Sequence, residues 1–338
     1  MKRICQCVCF ALLAAVAVMA DPSATIVGKV TDSTGAVVPQ ATVSVVNQAT
    51  NLERHTLTSA SGDFELPLLP ITGKYTLTIS KTGFQTEQIP GIVLQVDQVA
   101  RIDAKLNVGS ISQKVTVEEA APLVNTENAT VGQVIDNKTI VDLPLNGRNF
   151  TQLATLTPGA IQGAPSGNTG FTTISVNGGQ APKTEFLLDG VSNQEQLYNG
   201  VQFTPSVDAI QEFKVLANSF SAEYGRGDAV INSTIKSGTN EFHGVLWEFL
   251  RNDAVDARNF FDNGKSPYRQ NQFGGTLGGP IIHNKTFFFV NYEGTRIVRG
   301  LTSNSSVPTD AERNGDFSGY GTTIKDPLTG NPFPNNVI

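Results

Sequence analysis

Beyond Cys9 the chain has no cysteine; its three, Cys5, Cys7 and Cys9, all crowd the N-terminus. The rest of the chain therefore has no disulfide, no thiolate nucleophile and no thiolate metal site, and must rely on ordinary cores. Histidine is scarce too. His55, His243 and His283 lie far apart, none with a second ligand at helical spacing, which argues against zinc hydrolysis. Charged residues make up only 16% of the sequence and form no basic run, which argues against nucleic acid as a partner. The apolar run near the N-terminus falls short of the roughly 20 residues of a spanning helix, which argues against a membrane-spanning anchor.

The leader is Met1–Ala20. Lys2 and Arg3 give a positive start, Val8–Met19 a short apolar stretch, and Val18-Met19-Ala20 a small-residue cleavage site, the pattern of a signal peptide. The three cysteines lie before or at the very start of the apolar stretch, so none sits where a lipid would be attached. Loss of Lys2 and Arg3 takes the net charge from −6 to −8. The 32 glycines, with abundant Asn, Thr and Ser, favour turns and strands over long helices.

Catalytic motifs are equally thin. No G-x-S-x-G elbow is present. Asn263-Gly264-Lys265-Ser266 has the end of a phosphate loop, but its first glycine is replaced by Asn259. Asn284-Lys285-Thr286 lacks the glycine before lysine. Asp262-Asn263-Gly264 lacks the acidic residues of a calcium loop. Arg226-Gly227-Asp228 falls inside a glycine turn, where it reads as coincidence. The sequons at Asn128, Asn137 and Asn149 are those expected by chance in an Asn/Thr-rich chain. No catalytic, cofactor-binding or metal-binding residue is assigned, no cofactor is expected, and the chain is not read as an enzyme.

Residues 21–107 alternate as an all-β domain. Ile26–Val30 is a strand, Asp32-Ser33-Thr34-Gly35 a turn, and Ala41–Val46 and Tyr75–Ser80 alternate with period two. Short strands with turns every ~8–12 residues predict a β-sandwich. Residues 108–121 form a connector. In it, Lys114-Val115-Thr116-Val117-Glu118-Glu119-Ala120 alternates with no obvious partner strand, and a strand without a partner is suited to capture by another protein through β-augmentation. It reads equally as the last strand of the sandwich or the first of the next domain.

Residues 122–240 read as a third, α+β segment. A short amphipathic helix is expected within Asn137–Ala160, with Asp142 or Asn149 as caps. Gly159–Gly170 is expected to be a loop. Strands are expected around Val176 and Phe186–Leu188, then at Phe213–Ala217 and Ala229–Ile235, separated by the turn Ala222–Gly227. From 241 to 338 the pattern changes. Val245, Trp247 and Phe249 share a strand face, Gln272–Ile282 is extended, His283-Asn284-Lys285 is a tight turn, and Thr286–Glu293 is aromatic. Short turns at one end and long polar connections at the other suit an outer-membrane barrel.

Several strings resemble known families. "GKVTDSTGAVVPQATV" with "SGDFELPLLPITGKYTLTISKTGF" resembles the carboxypeptidase regulatory-like domain, a transthyretin-like sandwich. "EYGR" followed by "VINSTIKSG" resembles the closing part of the plug of TonB-dependent outer-membrane receptors, departing from it at Ser233 and Thr234, where that resemblance implies apolar residues, which puts the burial of the strand's second half in question. "LPLNGRNF", "LLDG", "RQNQFGGTLGGPIIHNKTFFFVNYEGTR" and "VPTDAERNGDFS" resemble the Oar-like members of that group. The resemblance implies a mainly β chain: a transthyretin-like β-sandwich, an α+β plug domain, then the first strands of an incomplete transmembrane β-barrel. It implies an outer-membrane location with the N-terminal domains periplasmic, and contact with outer-membrane lipid. It implies TonB as energy-coupling partner, with an extracellular substrate taken up. It places a candidate TonB box at Val115, Thr116 and Val117, and makes Gly225, Arg226 and Gly227 structural residues of the plug turn. Residues 241–338 hold three good strand candidates, where even a small barrel needs about eight, so the barrel is expected to be truncated. The competing reading is a secreted or surface β-sandwich binding module for carbohydrate or protein. It is disfavoured because the sandwich aromatics are only Phe64, Tyr75 and Phe84, and Tyr75 belongs to the apolar alternation.

Overall fold

The structure is a computed structural model. It describes residues 23–110, 114–116, 131–163, 173–179, 183–195, 200–218, 224, 227–258, 264–300 and 306–338. By its internal contacts the chain divides into two units. The first runs to Glu248 and includes Phe273–Gly294; the second comprises Phe249–Gln272 and Thr295–Ile338.

The first unit begins with the sandwich: β1 (Ser23–Asp32), β2 (Thr42–Asn47), β3 (Glu53–Leu57), β4 (Asp63–Pro70), β5 (Tyr75–Ser80), β6 (Thr86–Ile92), β7 (Val99–Arg101) and β8 (Ala104–Leu106). One sheet has the order β4-β1-β7, with β8 also on β1. The other is β3-β2-β5-β6, extended at its β6 edge by β9 (Lys114–Thr116). Period-two alternation sends Ile26 and Val30 inward from β1 and Tyr75, Leu77 and Ile79 from β5, all fully buried. The Tyr75 hydroxyl, buried with its ring, donates to the Pro70 carbonyl (2.5 Å). Gly28 marks where the neighbour of β1 changes from β7 to β8. A Cβ there would lie 1.9 Å from the Ile102 carbonyl oxygen.

The plug follows: β10 (Val131–Asp136), α1 (Asn137–Asp142), β11 (Ala160–Gln162), β12 (Ile174–Val176), β13 (Thr184–Leu188), β14 (Val191–Ser192), β15 (Ile210–Asn218) and β16 (Ala229–Ile235). The main sheet has the order β10-β15-β16-β13-β14, parallel only between β13 and β16. Phe150, Phe186, Phe213, Val215 and Ile231 fill one face, and Leu187, Leu216 and Val230 gather on the other. A sheet covered on both sides explains why β16 is buried along its length. Ser233 and Thr234 are as buried as Val230 and Ile231, so the question their polarity raised is answered by burial.

Two sequence expectations in this region change. Asp142 is the last residue of α1, not a cap. Its N-cap is Asp136, whose carboxylate accepts from the Thr139 N–H (2.8 Å). Asn149 does cap, accepting from the Thr151 N–H at the start of a 3₁₀ turn, Phe150–Leu156. The stretch expected as a loop from Gly159 opens instead with β11, paired antiparallel to β12; residues 164–172 lie outside the described residues.

Three strands follow, β17 (His243–Asn252), β18 (Tyr268–Ile282) and β19 (Thr286–Arg299), in the order β17-β18-β19. The His283–Lys285 turn is as expected, closed by the Lys285 N–H to the Ile282 carbonyl (3.1 Å). Leu246, Leu277, Ile281, Val290 and Tyr292 are exposed. Among the described residues no helix is long and apolar enough to cross a membrane, which does not bear on strands. In the second unit, α2 (Asp310–Arg313) is a single turn with a capping box between Thr309 and Glu312.

Candidate coupling strand and plug

The strand read as unpartnered has a partner. β9 runs parallel to β6 with Glu87 opposite Val115 and Gln88 opposite Thr116. Sequence pattern could not reveal this, because a parallel neighbour is joined through a long crossover and leaves no local turn signature. Val117 lies outside the described residues.

Of the plug-turn residues, Gly225 and Arg226 also lie outside them. Gly227 is described. A Cβ there would approach the carbonyl oxygens of Lys183 and Ala229, each at 2.9 Å, so only glycine fits between β13 and β16 without displacement. Tyr224 packs on Leu187, Leu216 and Val230.

The "LLDG" element is a tight turn between β13 and β14. Asp189 has φ 50° and Gly190 φ 77°. The Asp189 carboxylate accepts from the Ile235 N–H (2.8 Å), and its own N–H donates to the Ser233 carbonyl (2.9 Å), so the turn is stapled to the end of β16.

The "NGR" of "LPLNGRNF" places Arg148 against Asp208, both largely buried, with the guanidinium 5.9 Å from the centre of the Trp247 ring. Ser206 and Asn291 are joined by a hydrogen bond between side chains (2.8 Å). Trp247 and Asn291 therefore face the plug, and Leu246, Val290 and Tyr292, at alternate positions, point the other way, as a barrel wall requires. Large side chains of β17 and of the residue just before it sit over glycines of β18. A Cβ at Gly274 would lie 2.6 Å from the Trp247 ring, and one at Gly279 2.4 Å from Phe242.

A further group escaped the sequence reading. On the second face of the plug sheet, Glu212 Oε1 accepts from the Val96 N–H and Lys214 Nζ donates to the Val96 carbonyl, both at 2.6 Å. Burial pushes the Glu212 carboxyl up to about 7, against the opposing pull of the Val96 N–H and the Lys214 ammonium, with Asp97 adding to the rise. The available signal was the alternation of Glu212 and Lys214 with Phe213 and Val215, which marks an outward face but not what covers it.

The matches to known families follow the same order along the chain. Residues 25–107 match the carboxypeptidase regulatory-like domain, 125–230 the TonB-dependent receptor plug domain, and 234–338 the outer membrane beta barrel domain. Over 290 residues, 80% of the chain, the sequence is 30% identical to the TonB-dependent transporter Oar of Myxococcus xanthus. The chain belongs to the TonB-dependent receptors. It spans about a quarter (26%) of the length of that relative. These matches place it among outer-membrane proteins and point to a transporter family rather than an enzyme. Among solved structures, the siderophore receptor PirA of Acinetobacter baumannii is 23% identical, covering 48% of this chain and 24% of that one, with a TM-score of 0.36. The ferric enterobactin receptor PfeA of Pseudomonas aeruginosa is 19% identical, with the same coverages and a TM-score of 0.35. Catechol 1,2-dioxygenase of Acinetobacter sp. ADP1 is 14% identical over 30% of this chain and 58% of that one, with a TM-score of 0.22. At these scores the superpositions carry no argument.

Proposed function

We propose that this TonB-dependent receptor takes up an extracellular substrate across the outer membrane, energised by TonB acting on the segment that holds Val115, Thr116 and Val117. The observation that carries the reading is the continuity of the plug with the wall. The mixed sheet containing β16 leads directly into β17–β19, whose faces divide into plug-facing Trp247 and Asn291 and outward-facing apolar residues. The domain order behind the reading is sandwich over 21–107, connector over 108–121, plug over 122–240 and wall from 241. Capture by TonB is supported by the position of β9, which adds three residues to the edge of a sheet and so exchanges one strand partner for another at small cost. Gly225, Arg226 and Gly227 keep the role of shaping the plug turn.

The test is expression of the protein from its own gene with a cysteine at Val115, Thr116 or Val117 and a cysteine in TonB. The protein is expected in the outer-membrane fraction, with disulfide cross-links to TonB concentrated at these positions. Recovery of wild-type protein from the medium or periplasm, or cross-links spread evenly over 108–121, would overturn the reading.

A further inference from the structure

The sandwich and the plug have separate hydrophobic clusters among the described residues: one drawn from Ala24–Leu106, the other from Ile135–Ile231. What joins them is polar. Glu212 and Lys214, two positions apart on one face of β15, grip the N–H and the carbonyl of a single sandwich residue, Val96. Beside it, Asp97 turns with φ 55°, its carboxylate 4.0 Å from Lys214 Nζ and 3.5 Å from Asn232 Nδ2. A second grip lies at the β2–β3 turn. Asn284 Oδ1 accepts from the side-chain amides of both Asn51 and Asn240, each at 2.8 Å. The Asn240 N–H donates to the Ala49 carbonyl (2.9 Å). Bodies with their own cores joined by polar contacts are suited to separating and rejoining.

We propose that Glu212 and Lys214 on Val96, with Asn284 as the second jaw, form a releasable clamp that holds the sandwich on the plug and on the first turn of the wall, and that closes more firmly in acid. The biological use of such a clamp rests on the receptor reading; its existence does not. Charged groups facing Glu212 are Lys214 on its own strand and Asp97 across the contact. Asp136, opposite on β10, is occupied by the Thr139 N–H, and the β16 residue opposite is Thr234, which is uncharged. The sign follows from burial. Closed, Glu212 holds its proton up to about 7; opened, it ionises in the ordinary carboxylate range. Closing therefore takes up a proton between those limits. The closed form has its full advantage below the ordinary range and loses it as pH rises through about 7. Neutral Glu212 still accepts the Val96 N–H through its carbonyl oxygen.

The experiment is hydrogen exchange on the whole protein in detergent, followed in peptides covering Leu94–Gln98 and corrected for intrinsic rates. Between about pH 5 and pH 8, wild-type protection is expected to fall on the order of tenfold to a hundredfold. Glu212→Gln is expected to flatten the profile. Glu212→Lys, which sets two cations together, is expected to abolish protection at every pH while peptides from β5 and β16 stay protected. Asn284→Gly, which keeps the backbone free to adopt φ 63°, is expected to loosen the β2–β3 turn. Should Glu212→Lys also unfold β16, the Glu212→Gln profile decides. A pH-independent wild type, or a Glu212→Gln profile matching wild type, would overturn the clamp. None of these readings involves uptake, so their failure leaves the receptor reading standing, and that reading's failure leaves them intact.

Discussion

Arg148 donates to the carboxylate of Asp208 across 60 positions of sequence, tying the 3₁₀ turn that precedes Asn149 to the start of β15. Both side chains are largely withdrawn from water, at 14% and 9% exposed. Removing one partner of such a pair leaves the other buried and uncompensated, at a cost of roughly 3–5 kcal/mol. Asp208→Ala is therefore expected to make the plug protease-sensitive in the intact protein. Arg148→Lys is expected to rescue little, since a point charge replaces the planar group over Trp247. Unchanged proteolysis in both variants would deny the pair a structural role.

Gly28→Ala should be the most damaging single methyl in the sandwich. The added Cβ meets a backbone oxygen at 1.9 Å, and backbone cannot swing aside as a side-chain end does. The expected penalty is about 1–3 kcal/mol or more. It would appear as a lowered melting temperature for the sandwich transition by calorimetry, with the plug transition unmoved.

The cap of α1 gives a smaller effect with a defined pH dependence. Hydrogen bonds from the Thr139 side chain and N–H hold the Asp136 carboxyl below its usual value. A depressed carboxylate stabilises the fold above its unfolded pKa and loses that contribution as pH falls through its folded one. Asp136→Ala should cost about 1 kcal/mol at neutral pH, and the gap to wild type should close in acid. Equal stability at neutral pH would rule the cap out as a contributor.

Thr116→Pro separates coupling from folding. Proline removes a backbone donor from β9 and leaves the cores of the sandwich and plug untouched. The variant should reach the outer membrane at wild-type levels yet lose its cross-link to TonB. Retained cross-linking would show that TonB is captured elsewhere.

Local chemistry carried most of this architecture. The alternations of β1 and β5, the Asp32–Gly35 turn and the His283–Lys285 turn all depend on neighbouring residues, and all were readable. Contacts between distant segments were not. β9 carries no local sign of its partner because β6 joins it in parallel, and of the alternatives open to it the last strand of the sandwich is the one the topology shows. Asp142 was named as a cap because an aspartate before apolar residues carries the same signal as Asp136, and only the backbone distinguishes them. The expectation of apolar residues at Ser233 and Thr234 rests on the resemblance to the plug family, whereas their burial comes from layers on both sides of the sheet. The grip of Glu212 and Lys214 on Val96 spans more than a hundred positions, and two charges on a strand look the same whether water or another domain faces them.

Gly238 gives the junction of plug and wall its geometry. The residue is buried where a Cβ would strike the carbonyl oxygens of Phe288 and Gly279, at 2.3 and 2.7 Å. The chain leaves the plug through a slot that admits backbone alone. The plug is therefore anchored at its end, its last residues lying directly against the backbones of β18 and β19.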